Sequence, residues 1–165
     1  MPNPDDSIEL ALMTDEVYRA WLAEAIRGYA DDLAANNGLS PEAALARSER
    51  DFHELLPDGP ATPQQHVYSI LAAPEPGSAR RPVGVIWFAE RDNPPGAFIY
   101  DFMVDEAYRS RGYGGAALLA IEAKVQALGL KRIGLHVFGK NTGARRLYER
   151  LGYVATNINM AKELE

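Results

Sequence analysis

Apolar residues alternate at Ile8, Leu10 and Leu12, the period of a strand with one buried face. The period then lengthens. Val17, Trp21, Ala25, Tyr29 and Leu33 recur at helical spacing, and Leu22 and Ile26 widen the stripe. Thr14-Asp15-Glu16 supplies an N-cap and an acidic first turn, and Asn36-Asn37-Gly38 closes the helix. Ser40-Pro41 opens a second helix, with Leu45, Ser48, Phe52 and Leu55/Leu56 on its inner face. Pro57-Asp58-Gly59-Pro60 stops it. Val67 to Ala72 and Val83 to Glu90 read as strands, joined as a hairpin across Pro74 to Pro82, and Ala97 to Val104 follows as a third. Ala116 to Leu128 reads as a helix with Leu118, Ile121, Val125 and Leu128 on one face and Gly129 as its C-cap. Arg132 to Phe138 reads as a strand and Thr142 to Leu151 as a short helix ended by Gly152. Val154, Thr156, Ile158 and Met160 alternate as a final strand. Met1 to Ser7, polar with two prolines, reads as a loose terminus. The order β-α-α-β-β-β-α-β-α-β predicts an α/β (α+β) fold, a mixed sheet with helices on it.

A length of 165 residues suits one domain spanning the chain. Hydrophobic residues at 47% and charged residues at 24% fit a globular protein. No apolar run has the length of a membrane span or a signal-peptide core, so no membrane association or secretion is expected. Cys is absent, which removes disulfide and thiolate chemistry and suits a cytoplasmic protein. A net charge of -6 disfavours nucleic acid as a partner. The charge is uneven. Arg109, Arg111, Lys131, Arg132, Lys140, Arg145 and Arg146 gather in the last third, and the first hundred residues are acidic. A basic C-terminal half suits an anionic cofactor, and an acidic N-terminal half a cationic substrate.

The strongest candidate chemistry lies in Tyr108-Arg109-Ser110-Arg111-Gly112-Tyr113-Gly114-Gly115, between a predicted strand and a predicted helix. Its glycines let backbone N–H groups approach a ligand, and the following helix points its positive end at the turn. Such a turn suits phosphate oxygens. Gly112-x-Gly114-x-x-Ala117 also satisfies a dinucleotide fingerprint, which would make the chain an oxidoreductase. Against that, Asp105 to Arg111 separate the turn from its strand, and the next strand ends His136-Val137-Phe138-Gly139-Lys140, without an acid for the ribose. Gly134-x4-Gly139-Lys140 falls short of a P-loop because Asn141 stands where a magnesium-binding Ser or Thr is needed. No metal is expected.

Arg109-x-x-Gly112-x-Gly114 after a strand ending in Val104 resembles the acetyl-CoA-binding motif of the GNAT superfamily of N-acyltransferases. Asn141-x-x-Ala144-x-x-Leu147-Tyr148-Glu149-Arg150-Leu151-Gly152-Tyr153 is similar to that superfamily's second motif. The resemblance is strong over about Ala97 to Tyr153, and the first ninety residues match in element order. It implies a single N-acetyltransferase domain with a largely antiparallel mixed sheet, helices on both faces, and acetyl-CoA as donor. The acceptor would be a primary amine: a small-molecule amine, polyamine, aminoglycoside, protein N-terminus or lysine. A homodimer through the last strand is common in similar proteins. The alternative is a non-catalytic acyl-CoA-binding module on the same fold.

The resemblance assigns roles residue by residue. The pyrophosphate would rest on the N–H groups of Arg109, Ser110, Arg111, Gly112, Tyr113, Gly114 and Gly115. The pantetheine arm would run along the 97–104 strand, bonding the backbone near Met103 and Val104, in a slot where that strand splays from the 132–138 strand. A backbone N–H near Val104 would stabilise the oxyanion. Asn141 would bond the cofactor arm and cap its helix. Tyr148 would be the general acid, because a phenol can hand its proton to a departing thiolate. The general base stays open between His136, expected in the strand facing the slot, and Asp101, a carboxylate interrupting an apolar strand where it is costly unpaired. Glu90 is a third option. Lys140, Arg145 and Arg146 could meet a 3′-phosphate, and Tyr29, Asp31, Asp32, Phe52 and His66 could line the acceptor side.

Overall fold

The computed structural model of the chain describes residues 7–164. The loose terminus expected at Met1 to Ser7 lies, apart from Ser7, outside the described residues. By contact the chain forms two compact units, one ending at Leu135 and one starting at His136.

The first unit carries a five-stranded sheet in the spatial order of the sequence: β1 (Ile8–Leu12), β2 (Gln65–Ala72), β3 (Arg81–Asp92), β4 (Pro95–Val104) and β5 (Ile133–Leu135). The first four strands are antiparallel neighbours and β5 joins β4 in parallel. The mixed α/β class is therefore as the hydrophobic pattern predicts. Two helices, α1 (Asp15–Asn37) and α2 (Pro41–Leu55), separate β1 from β2, and α3 (Tyr113–Ala127) separates β4 from β5. The expected caps form: Thr14 Oγ1 accepts from Val17 N–H, Ser40 Oγ accepts from Ala43 N–H, and Gly38 turns left-handed at φ 65°.

Side chains alternate across a strand, so Val67, Val85 and Trp87 share one face of the sheet. Trp21 and Phe52 of α1 and α2 pack on that face. Tyr68 and Ile86 point the other way, and Lys124 of α3 stands 4.8 Å over the Tyr68 ring. Helices thus cover both faces. The buried stripe of α1 is Tyr18, Trp21, Ala30 and Leu33, and Val17 and Tyr29 of the predicted stripe lie at its exposed rim. In α2, Ala44, Ser48 and Phe52 are buried and Leu45 is not. Fully buried Ser48 donates its hydroxyl to the Ile26 carbonyl at 2.7 Å, so a polar bond locks α2 to α1.

Two strand expectations are corrected. The strand predicted over Arg132 to Phe138 is only Ile133–Leu135, and His136, Val137 and Phe138 lie outside any strand. The parallel ladder matches Ala97, Phe98 and Ile99 to Ile133, Gly134 and Leu135, and the next residue of β4 is where its pairing with β3 shifts register. A bulge ends regular pairing at such a point. The final strand predicted from Val154 to Met160 does not form. Residues 153–164 take no regular secondary structure, and Val154, Ile158 and Met160 are exposed. Alternation describes a strand's faces but not its partner, and a strand needs a ladder of hydrogen bonds to exist. The second unit therefore contains one helix, α4 (Thr142–Arg150).

The end of β4 depends on Gly84 in β3, which faces Val104 across the pair. A Cβ at Gly84 would overlap the Met103 carbonyl oxygen and stand 3.0 Å from Val104 Cα. Gly84→Ala is expected to lower stability by about 1–3 kcal/mol through overpacking. Urea unfolding midpoints measure it, and an unchanged midpoint would mean the strand pair yields without cost.

Candidate functional site

From Val104 the chain makes a 3-10 turn (Glu106–Tyr108) and enters α3 through the glycines. The turn is tied down on its own side. Asp105 N–H donates to the Val83 carbonyl at 2.8 Å, and Tyr108 N–H to the Asp105 carbonyl at 2.8 Å. Arg109 Nε donates to the Val104 carbonyl at 3.0 Å, and the Arg111 guanidinium reaches the Pro74 and Ala107 carbonyls at 3.4 and 3.5 Å. These arginine side chains shape the turn. The N–H groups of Ser110, Arg111, Gly112, Tyr113, Gly114 and Gly115 have no acceptor among the described residues. Ser110 and Gly112 take left-handed conformations at φ 61° and 83°, which turns successive N–H groups outward as a nest. At Gly112 an added Cβ would meet no protein atom within 4 Å, so its φ, not crowding, demands glycine there. Buried Tyr113 anchors the first turn of α3. Such a nest suits a multiply charged anion, and a pyrophosphate such as that of coenzyme A would meet its N–H donors with acceptor oxygens.

Upstream of the turn, β4 bulges. Trp87 faces Asp101, but the next residue, Phe88, faces Ile99, so Tyr100 is the extra residue. A bulge of this kind turns two consecutive side chains to one face. Tyr100 stacks on Trp87 at 4.7 Å, and Asp101 accepts a hydrogen bond from Trp21 Nε1 at 2.9 Å. Both therefore face α1 and α2. Burial pushes the Asp101 carboxyl above the usual carboxylate range, and hydrogen bonds from Trp21 and the Phe102 backbone pull partly against it. Among the described residues Asp101 has no cationic partner. Past Ile99 no strand among the described residues pairs with the other edge of β4, which includes Met103 and Val104. Met103 is exposed.

Trp21 is the participant that sequence reasoning passed over. The available signal was its indole N–H, which needs an acceptor when buried. Glu90, the third base candidate, is paired with His66 Nε2 at 2.9 Å, and His66 stacks on Phe88 at 4.5 Å. Phe88 and Glu90 alternate with Trp87 along β3, so this pair lies on the opposite face from Asp101. Of the other expected lining residues, Phe52 is in the core beside Trp21 and Trp87, and Tyr29 donates its hydroxyl to Asp51 at 3.4 Å. Asp31 and Asp32 are exposed on α1.

The remaining candidates belong to the second unit. Asn141 Oδ1 accepts from Ala144 N–H at 3.2 Å and so caps α4. Tyr148, half-buried, lies 5.6 Å from the Tyr153 ring. His136 is exposed and meets Phe138 edge to face at 5.0 Å. Arg145 is engaged within its own unit, by Glu149 at 3.7 Å and the Gly139 carbonyl at 3.4 Å.

Comparison with known proteins gives the family of the chain. The profile of the acetyltransferase (GNAT) family matches residues 35–153. The uncharacterized N-acetyltransferase YycN of Bacillus subtilis (strain 168) is 36% identical over 160 residues, covering 96% of this chain and 99% of YycN. The crystal structure of YycN superposes with a TM-score of 0.83 at 34% identity, over 96% of this chain and 99% of that one. A protein from Bacillus anthracis str. Ames, assigned as a streptothricin acetyltransferase and solved with acetyl coenzyme A, superposes with a TM-score of 0.50 at 25% identity, over 59% of this chain and 52% of its own.

The Asp101 environment has a measurable consequence. Burial favours the protonated carboxyl, so the folded pKa exceeds the unfolded one. The resulting stabilisation is complete below the unfolded pKa and is lost as pH rises through the folded pKa. Asp101→Asn keeps an acceptor for Trp21 and escapes that loss. Its Tm is expected to exceed the wild-type value at neutral pH and to converge with it in acid. A variant that melts lower than wild type at neutral pH would overturn this account.

Proposed function

We propose that this chain, which belongs to the acetyltransferase (GNAT) family and is an acyltransferase, moves an acetyl group from acetyl-CoA to a primary amine by direct attack in a ternary complex. The observation that carries the reading is the row of N–H groups from Ser110 to Gly115 without acceptors at the start of α3. Bound acetyl-CoA would supply a thioester: the acceptor nitrogen bonds to the acetyl carbon, the C–S bond breaks, the amine loses a proton to a base, and the thiolate gains one. The residues supply positioning and protons. The nest at Ser110 and Gly112 holds the pyrophosphate, and the β4 edge at Met103 and Val104 holds the arm. A backbone N–H near Val104 stabilises the developing oxyanion, worth about 3 kcal/mol in comparable sites. Tyr148 donates its phenolic proton to the thiolate, and Asn141 orients the arm and caps α4.

Asp101 is our first choice of base. A carboxylate with a raised pKa accepts a proton more readily, and Trp21 fixes its orientation. His136 is the second choice, for its ring and its exposure. No covalent acyl-enzyme is needed, and the sequence offers no Cys to carry one. In this proposal both units serve one N-acetyltransferase domain working in the cytoplasm. Among the described residues no helix is long and apolar enough to cross a membrane.

Acetyl-CoA is expected to raise the Tm, with a stabilisation of about 2.7 kcal/mol at a hundredfold excess over its Kd. A shift with NAD and none with acetyl-CoA would sink the donor assignment. Release of free CoA thiol on adding amines separates the enzyme from a non-catalytic acyl-CoA-binding module.

Tyr148→Phe is expected to slow thiol release by about a hundredfold while preserving the acetyl-CoA shift in Tm. An unchanged rate would remove Tyr148 from the chemistry. With Asp101 as base, kcat/KM falls on acidification through a pKa above the ordinary carboxylate range, and Asp101→Asn abolishes that limb. If the limb instead survives Asp101→Asn and is lost in His136→Ala, the base is His136.

A further inference from the structure

Arg91 stands next to the last residue of β3. One guanidinium nitrogen, Nη2, donates to the Tyr100 hydroxyl at 2.8 Å. The guanidinium centre stands 3.7 Å over the Phe98 ring and 5.1 Å from the Tyr100 ring. Phe98 and Tyr100 meet edge to face at 5.0 Å, so the two rings form a corner that fixes the plane of the cation. Among the described residues no carboxylate pairs with Arg91, although the side chain is exposed and the first hundred residues are acidic. A guanidinium has five N–H donors in a rigid fork. Here the aromatic corner and Tyr100 hold it still while its remaining edge is open. Less side-chain entropy is then lost when an anion binds.

Its position gives that edge a purpose. Tyr100 is the bulge residue, and Asp101 beside it shares its face. Trp87 joins the two: it stacks on Tyr100 at 4.7 Å and meets Trp21, the partner of Asp101, at 5.7 Å. A fixed cation and a half-buried carboxylate therefore stand on one face of the sheet, both in contact with one aromatic cluster. Arg91 meets the hydroxyl end of Tyr100, a full side chain away from the main chain where Asp101 begins, so the span exceeds the two bonds that separate nitrogen from carboxylate in an α-amino acid.

We propose that Arg91 binds a carboxylate carried by the acceptor, so that the acceptor class is an amine with a carboxylate several bonds from the nucleophilic nitrogen, as in an ω-amino acid or the ε-amine of free lysine. This rests on the acetyltransferase reading above. The amine end lies toward Asp101, and the planar carboxylate takes two parallel hydrogen bonds from the Arg91 fork. Arg91 then determines specificity and takes no part in proton transfer.

The test compares ε-aminocaproate with ε-aminocaproamide, and lysine with cadaverine, by release of CoA thiol. Wild type is expected to favour each carboxylate-bearing member by about tenfold in kcat/KM, the effect of roughly 1.4 kcal/mol. Arg91→Gln is expected to erase that preference by raising KM for the carboxylate-bearing amines, with kcat and the acetyl-CoA KM unchanged. Arg91→Lys keeps part of it. Equal wild-type rates within each pair overturn the inference without any variant. So does an Arg91→Gln loss that falls equally on both members, or a failure of all carboxylate-bearing amines to react while acetyl-CoA still raises the Tm. Absence of any acetyl-CoA shift would instead bring down the acetyltransferase reading, and this inference with it.

Discussion

At Tyr100 the β4 strand carries one residue more than β3 can match, and much of the first unit follows from that mismatch. Had β4 kept a regular register with β3 through Tyr100, Asp101 would alternate away from Tyr100 and lie on the α3 side of the sheet. With it, a phenol and a carboxylate project together toward α1 and α2. The same residue stands where the parallel ladder with β5 stops, one position after Ile99. Among the described residues no strand pairs with the last part of β4 on that edge, and a 3-10 turn leads from it to the glycine turn at the start of α3. One added residue sets the direction of a carboxylate, the end of a ladder and an accessible strand edge.

Much of this was legible in the sequence where local chemistry decides the outcome. Thr14, Ser40 and Asn141 cap their helices because a short polar side chain before a helical run has few better uses. The turn that opens α3 was legible because Arg109 to Gly115 is glycine-rich and stands between a strand and a helix. Asp101 was legible as an anomaly, a charge in an apolar strand. What failed was non-local. The bulge leaves no mark in alternation, since Phe98, Ile99, Tyr100 and Phe102 read as apolar on both faces. The bond from Trp21 to Asp101 spans 80 positions. The predicted strand at 154–160 rested on alternation alone, and nothing local specified a neighbour for it. The α1 stripe was off by one residue at two positions because Val17 and Tyr29 fit the helical period as well as Tyr18 and Ala30 do.

The choice of partner for Asp101 decides how its carboxyl titrates. A buried carboxylate bonded to an arginine would be held in its charged form, with a pKa well below the ordinary value. An indole N–H is a neutral donor. It orients the carboxylate and satisfies one oxygen, contributing on the order of 1 kcal/mol, but it does not cancel the cost of burying charge. The raised pKa is the residue of that imbalance. Arg91, which contacts the neighbouring side chain, is taken up by Tyr100 and Phe98 and pairs with no carboxylate among the described residues. Had it closed on Asp101, the pair would neutralise both groups, leaving neither a proton acceptor nor an open guanidinium. Keeping a cation and a carboxylate on one face without letting them meet costs stability. That cost has a physical rationale if a third group, carrying charges of both signs, is meant to come between them.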